Sequence, residues 1–580
     1  MSVALLLVPS VMTLVSLDRE LGPSGDPPPL AEATTRALRA ALPAAVARME
    51  FAPLVQATLD AAGGGPLFHD GLEPNARAKA VLARVAELDR HGMDRGPFRL
   101  GFPSEPLRAL PRKRQPPIPM TPFTLERAAN AAAAAEVEAR LLYAHVRYVL
   151  AFRFSRESHP LEDVSDAKIA VAEHDAIVKV AAAALTEPES GLKRLWPATA
   201  DYAAVQAELG RFRALVQQHG PKWPTVSHAT WSQSLRKAAK GRKAPREDPL
   251  QALQARLILE GVLTGPASGA FDAATRAAVS AYRRDHGLSE DDTIDWSFTR
   301  ELNRQPGSRI TQLRLALARL RESRALRSAR ADYVRVNIPS YELRIVEGGT
   351  ITRRHRVIVG NNKLDFDRNA WKQGYINRTP LLQSRMDTVV LNPVWIPPPR
   401  ILDEEFEGED HLIVPPGKRN PLGQVKFLLD RTNAVYLHDT NRRKRFEQAE
   451  RALSHGCIRV HEAVALATYL LGKFAKLTPT DVERRLAAGS QDPVDLDREL
   501  AVYVEYVTAD VGADGRVRLL PDVYGYDAAW LAGRRAFGVQ RYGAGSLRPK
   551  SVPVIPEADY RRLKAAGDKA PVTWPVAATP

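Results

Sequence analysis

One cysteine, Cys457, in a chain of 580 residues leaves no route to an intramolecular disulfide or a multi-cysteine metal cluster, so every domain must stand on packing. At about 150 residues per domain the length implies three or four domains, and a hydrophobic content of 44% is enough for several cores. Lys and Arg number 82 against 67 Asp and Glu, a formal charge of +15. Such an excess points to anionic surroundings: nucleic acid, a membrane surface or an acidic polymer such as a cell wall. The plainer reading is a diffuse basic surface without a dedicated partner.

The chain divides by composition and period. Residues 1–29 begin apolar from Val3, broken by Pro9 and Ser10 with no Lys or Arg ahead. That run is too short to span a bilayer; it reads either as the apolar part of a secretion signal or as a first buried helix. No other segment approaches ~18 consecutive apolar residues. Residues 30–247 carry helical spacing, as in Leu125 to Val149 with Thr124 as its cap, interrupted by the proline-dense stretch Pro103 to Pro122. The polar run Ser227 to Pro249, with Lys237, Lys240, Arg242 and Lys243, reads as a solvated linker. Residues 248–305 form a compact helical unit in which Leu250, Leu253, Leu257, Val279 and Tyr282 recur at three- and four-residue steps, with Asp272 or Ser268 as cap.

From Asp332 the period changes to two. Tyr333–Ile338, Leu343–Val346, Arg354–Val359 and Asp387–Leu391 alternate between turn residues, and predict a β meander or sandwich over residues 330–480. A helix returns at His461 to Ala475, where Leu466, Tyr469, Leu470 and Phe474 can cover one face of the sheet. Residues 481–545 add a hairpin made of Val502–Val507, the turn Gly512–Gly515 and Val517–Leu519, and residues 546–580 form a loosely ordered proline-rich tail. The fold class is therefore α+β and multidomain, with a helical N-terminal scaffold, a three-helix module and a mostly-β C-terminal domain.

Cys457 lies in Leu453-Ser454-His455-Gly456-Cys457-Ile458-Arg459-Val460, and a second histidine, His438, stands in Tyr436-Leu437-His438-Asp439-Thr440. An ordinary thiol with pKa ~8.5 is only a few per cent ionised at neutral pH, so a nucleophilic cysteine needs an imidazole nearby to take its proton. In an extended segment His455 and Cys457 would share one face, and Gly456 would leave backbone N–H groups open to a substrate oxygen. Arg459 serves either a structural ion pair or a substrate carboxylate. Tyr436 and Trp395 line a cleft or pack a core, and Ser454 orients a histidine or shapes its turn. The competing chemistries are zinc ligation by Cys457, His438 and His455, for which no fourth ligand is evident nearby, and papain-like hydrolysis, whose cysteine sits in different local sequence.

Two resemblances connect these residues. Leu-Gln-xx-Leu, Gly-x-Phe-Asp-xx-Thr and Val-xx-Tyr-Arg-xx-His-Gly-Leu, in order within 248–303, resemble a peptidoglycan-binding domain of the three-helix type. His438, the gap 439–453 and Ser454–Arg459 resemble the signature of L,D-transpeptidases of the YkuD type. Asn392–Pro397, Pro415–Gly423, His91-Gly92-Met93-Asp94 and Pro521–Gly525 are similar to segments of the large periplasmic members related to YcbB. The resemblance implies Cys457 as nucleophile, His438 as base and His455 as an orienting or oxyanion-side residue. It further implies 3→3 crosslinking of tetrapeptide stems, with carboxypeptidase action or D-amino-acid exchange as variants of the same chemistry. It implies peptidoglycan stem peptides and glycan as partners, no nucleic acid, no cofactor or metal, carbapenem sensitivity, a periplasmic or cell-envelope location and a monomer. A non-catalytic wall-binding scaffold would explain the charge but not the thiol and histidine pair. Where the large relatives insert a capping subdomain, this chain has only the acidic link Asp403–Asp410. That predicts a reduced cap, or one supplied by Asn361–Arg378 with Trp371 and Tyr375, while the acidic residues either meet an acceptor amine or form a solvated loop.

Overall fold

The structure is a computed structural model that describes residues 30–49, 51–70, 73–93, 131–154, 171–227, 249–323, 325–326, 332–367, 372–397, 401, 412–430, 435–532 and 572–573. The apolar N-terminus, Pro103–Pro122, Thr124, the linker lysines, Trp371, Asp403–Asp410 and nearly all of the C-terminal tail lie outside the described residues. The chain forms two compact units, Met1–Gly210 with Leu313–Glu322, and Arg211–Gln312 with Ser323–Pro580. Among the described residues no helix is long and apolar enough to cross a membrane.

The first unit is helical. Helices α1 (Leu30–Val46), α2 (Ala52–Ala61) and α3 (Ala76–Ala86) pack on α4 (Ala131–Val149), and α5 (Val171–Thr186) follows. In α1 Leu38, Leu42, Ala45 and Val46 are buried, one stripe of an amphipathic helix. By contrast α4 is buried almost all round, with Ala135, Val137, Leu141, Leu142, Tyr143, Val146 and Val149 in the core, as a central helix must be. A charge in that position needs partners, and Glu138 of α4 has them: it accepts from the Leu67 and Phe68 N–H groups and pairs with His69 Nδ1 at 2.5 Å. Asn75 caps α3, accepting from the N–H groups of Arg77 and Ala78.

In the second unit, after α6 (Ala200–His219), α7 (Pro249–Leu259), α8 (Ala273–Asp285) and α9 (Trp296–Leu302) enclose Leu253, Leu257, Val279, Tyr282, Phe298 and Leu302. Burying each of these large side chains stabilises by roughly 1.5–3 kcal/mol. Asp272, not Ser268, caps α8, accepting from the Thr275 N–H at 2.8 Å. Helix α10 (Pro306–Glu322) leads into the β domain.

That domain is built on a nine-stranded sheet made of β1 (Tyr333–Asn337), β2 (Glu342–Glu347), β3 (Thr350–Gly360), β4 (Leu382–Leu391), β5 (Val425–Leu429), β6 (Leu437–His438), β7 (Ala452–Ser454), β8 (Ile458–Val460) and β9 (Asp492–Glu505). The spatial order is β7-β3-β8-β6-β5-β4-β9-β1-β2, and β2 also pairs with β3, closing the sheet on itself. This is not the expected meander or sandwich: β6 with β8, β7 with β3 and β9 with β1 are parallel pairs, which require crossovers. Helix α11 (Ala463–Phe474), between β8 and β9, presses Leu466, Leu470, Leu471 and Phe474 into the core. Tyr469 stays at the rim, its hydroxyl donating to Glu347. Helix α12 (Pro479–Ala488) opens on a Thr478–Asp481 capping box.

The expected hairpin also needs correcting. Val502–Glu505 belong to β9, which sits between β4 and β1, so the main sheet runs past residue 480. The hairpin is instead β10 (Ala509–Val511) with β11 (Val517–Leu519), closed by the predicted turn Gly512–Gly515. Both β9 and the hairpin strands alternate alike, and alternation does not say which strand is a neighbour.

Candidate active site

Three strands carry the site. In β5, Val425, Phe427 and Leu429 point into the core, which leaves Lys426 on the opposite face. Lys426 is in register with His438 of β6, and His438 with Arg459 of β8, while Phe427, Leu437 and Ile458 align in the core beneath them. One step back along the same strands, the Ile458 N–H donates to the Tyr436 carbonyl at 3.0 Å and sets Tyr436 beside Cys457. Lys426, Tyr436, His438, Cys457 and Arg459 thus gather on one face. The Tyr436 and His438 rings meet edge to face at 5.6 Å, and Lys426 Nζ lies 4.0 Å above the Tyr436 ring. The Trp395 indole donates to the Tyr436 hydroxyl, which also hydrogen-bonds with the Cys457 thiol. Trp395 is itself buried, its backbone bridged to Val414.

The segment before Cys457 bends where an extended run was expected. Gly456 has φ +122°, a conformation side-chain-bearing residues rarely adopt. Ser454 Oγ donates to the Cys457 carbonyl at 2.6 Å and accepts from the Gly456 N–H at 3.1 Å. The Gly456 amide is therefore committed to its own turn. Short polar side chains such as Ser454 bond readily to backbone groups two residues away. Ser454 shapes the turn, and its carbonyl receives the Asn361 N–H at 2.8 Å. His455 occupies the bend, partly exposed, off the strand that carries Arg459.

Two residues outside the predicted set brace this bend. Thr379, fully buried, donates from Oγ1 to the Gly456 carbonyl at 2.7 Å and accepts from the Gly360 N–H at 2.8 Å. The Tyr524 hydroxyl accepts from the Thr379 N–H at 3.0 Å and donates to the Gly360 carbonyl at 2.7 Å. The approach is close enough that a Cβ on Gly360 would lie 1.9 Å from the Asn377 carbonyl oxygen. Thr379 carries no local signal, and Tyr524 enters the sequence reading only as part of the segment Pro521–Gly525. For Lys426 a weak one exists, a lysine alternating with Val425 and Phe427 inside a short apolar strand.

Burial, then the charges of Arg459 and Lys426, hold the His438 pKa down to about 3, so its imidazole is neutral at physiological pH. A hydrogen bond with the Asp439 backbone works against that shift. Burial raises the Cys457 pKa, against hydrogen bonds from Tyr436 and the charges of Lys426 and Arg459. The resting pair is thus a neutral thiol and a neutral imidazole facing two cations. That arrangement can form a thiolate when the imidazole takes the proton, and can hold negative charge as it develops. Among the described residues no group of three or more His, Cys, Asp or Glu is arranged to hold a metal ion.

Residues 331–483 match the family model of the YkuD "L,D-transpeptidase catalytic domain", and residues 246–294 match that of the "Putative peptidoglycan binding domain". A "Putative L,D-transpeptidase" of Haemophilus influenzae is 31% identical over 229 residues, which cover 33% of this chain and 44% of that protein. The match thus spans under half the length of that relative. A crystal structure of the L,D-transpeptidase of Xylanimonas cellulosilytica, residues 123–326, aligns over 49% of this chain and 98% of its own at 13% identity, but with a TM-score of 0.18 that likeness carries no weight. The segment that carries Cys457 and His438 is thus similar to YkuD-type L,D-transpeptidase catalytic domains, and the three-helix module before it to peptidoglycan-binding domains.

Proposed function

We propose that this chain is a peptidoglycan L,D-transpeptidase of the cell envelope that forms 3→3 crosslinks through a Cys457 thioester. The observation that carries the reading is the placement of Cys457, at the entry to β8, next to β6 with His438, inside the segment that matches the catalytic-domain model. His438 takes the Cys457 proton as sulfur attacks the carbonyl of the third residue of a tetrapeptide stem. The C–N bond to the terminal D-alanine breaks, and its amine leaves with the proton from His438. An acceptor amine then attacks the thioester, gives its proton to His438, and the C–S bond breaks to restore the cysteine. Water in place of the amine yields carboxypeptidase action, and a free D-amino acid yields exchange.

With the Gly456 amide engaged in its turn, the cationic face of Lys426 and Arg459 is the part of the site suited to the tetrahedral oxyanion and to stem carboxylates. The peptidoglycan-binding domain raises local substrate concentration without altering the chemistry. The helical first unit and the segments around Trp395, Gly417 and Tyr524 favour the large YcbB-like subgroup, and a periplasmic site of action follows from the substrate. Incubation of the full chain with disaccharide-tetrapeptide, with products read by mass, tests the reading. Crosslinked dimer and released D-alanine from wild type but not from Cys457→Ala support it; equal behaviour of the two proteins, or consumption of pentapeptide alone, sinks it. A carbapenem adduct on Cys457 is the matching covalent readout.

A further inference from the structure

We infer that Lys426 is the cation that holds the Cys457 thiolate, positioned for that task by the Tyr436 ring. Lys426 comes from β5, two strands away from Cys457, and is brought to it by register: Lys426 beside His438, His438 beside Arg459, Tyr436 beside Cys457. Its neighbours Val425 and Phe427 are fully buried in the core, so the backbone on either side is anchored and the side chain has one face to enter. There its ammonium rests 4.0 Å from the centre of the Tyr436 ring, whose hydroxyl meets the thiol. A cation over an aromatic face is held by the ring quadrupole without being neutralised by it, so its charge stays available to the sulfur.

The charges around this sulfur come from every strand of the site. Tyr436 and His438 face it from β6, Arg459 follows it on β8, His455 precedes it in the bend, and Lys426 reaches it from β5. The carboxylate next to His438, Asp439, directs Oδ2 to the Gln424 N–H at 3.0 Å and to Arg443 at 3.1 Å. Both cations, Lys426 and Arg459, work against the effect of burial on Cys457, and both hold His438 neutral. The effect is mutual: burial lowers the Lys426 pKa, and Cys457 works against that shift. A lysine kept in this setting has a use once the sulfur is charged.

The inference rests on Cys457 as the nucleophile, but its test needs no turnover. Cys457 is the single thiol of the chain, so alkylation by iodoacetamide reports its thiolate alone; the thiolate forms the S–C bond, iodide leaves, and the thiol proton passes to His438 or to buffer. The full chain and the variants Lys426→Met, Lys426→Gln and Lys426→Arg are alkylated from pH 5 to 10 and read by mass, with circular dichroism to verify folding. Both neutral variants are expected to react on the order of tenfold more slowly at pH 7 and to reach the wild-type rate only at higher pH, while Lys426→Arg stays within about threefold of wild type. Using two neutral variants of different polarity keeps the test alive if one does not fold. A wild-type pH profile in a folded neutral variant overturns the inference. So does equal slowing in the arginine variant, because a retained charge would then do nothing. A normal alkylation profile with no crosslinking would leave the thiolate inference standing and count against the proposed function.

Discussion

Thr379→Val removes one hydroxyl and keeps the shape of the side chain. In the wild type that hydroxyl joins the Gly360 N–H, at 2.8 Å, to the Gly456 carbonyl, at 2.7 Å, in a site with no solvent exposure. Valine can do neither, and water cannot reach in to replace it. The buried N–H loses its partner at a cost of about 1–3 kcal/mol, and the carbonyl adds about 1 kcal/mol, for a total of roughly 2–4 kcal/mol. The loss falls on the bend that carries Cys457, so its effect on reactivity should exceed its effect on the rest of the molecule. Urea unfolding followed by far-UV circular dichroism gives the stability change, and iodoacetamide labelling of Cys457 gives the local one. Thr379→Ser, which restores the hydroxyl and loses a methyl group, should recover most of both. A Thr379→Val protein within about 0.5 kcal/mol of wild type, with unchanged labelling, would refute the bracing role.

Gly456→Ala and Gly360→Ala should separate backbone strain from steric exclusion. A Cβ on Gly456 meets nothing nearer than 3.9 Å but must adopt φ +122°, so a cost of about 1–3 kcal/mol and a folded protein with slowed Cys457 labelling are expected. At Gly360 the added carbon would lie 1.9 Å from the Asn377 carbonyl oxygen, and soluble folded protein should be lost, as expression and circular dichroism will show. Acid should weaken both units. His91 and His286 have pKa values lowered to about 3 and His145 to about 4, chiefly by burial, as His438 does. Each is depressed below its unfolded value near 6.5, so the stability it contributes is complete above about pH 6.5 and falls as pH drops toward the folded value. Between pH 7 and pH 5 each should cost about 2 kcal/mol, measurable as a urea midpoint that moves with pH and moves less in His286→Gln. Glu138→Ala strips partners from the Leu67 and Phe68 N–H groups and from His69 at once, and should destabilise the helical unit by roughly 3 kcal/mol or more in thermal unfolding; an effect under 1 kcal/mol would show that the network is dispensable.

Local interactions were legible in the chain. Three- and four-residue spacing located α7 to α9 and the Asp272 cap, and the change of period at Asp332 located β1 to β4 within a few residues. Around Cys457 the residues themselves offered two histidines, His438 and His455, and the family resemblance implied His438 as the base. The commitment of the Gly456 amide was within reach as well, since Ser454 lies two residues away and short polar side chains of its kind bond to nearby backbone.

Tertiary structure decided the rest. Alternation assigns a residue to a face, and says nothing about which strand lies alongside; that depends on the closure of the whole sheet. The antiparallel register of β5 with β6 brings Lys426 to Tyr436, the parallel pairing of β6 with β8 sets both beside Cys457, and Thr379 and Tyr524 converge on Gly360 from distant parts of the chain. Tyr524 is 145 residues from Thr379, and no local propensity encodes a contact of that range. Cys457, His438 and Arg459 could therefore be singled out in the sequence, whereas the contacts that Lys426, Thr379 and Tyr524 make around them could be found only in the folded chain.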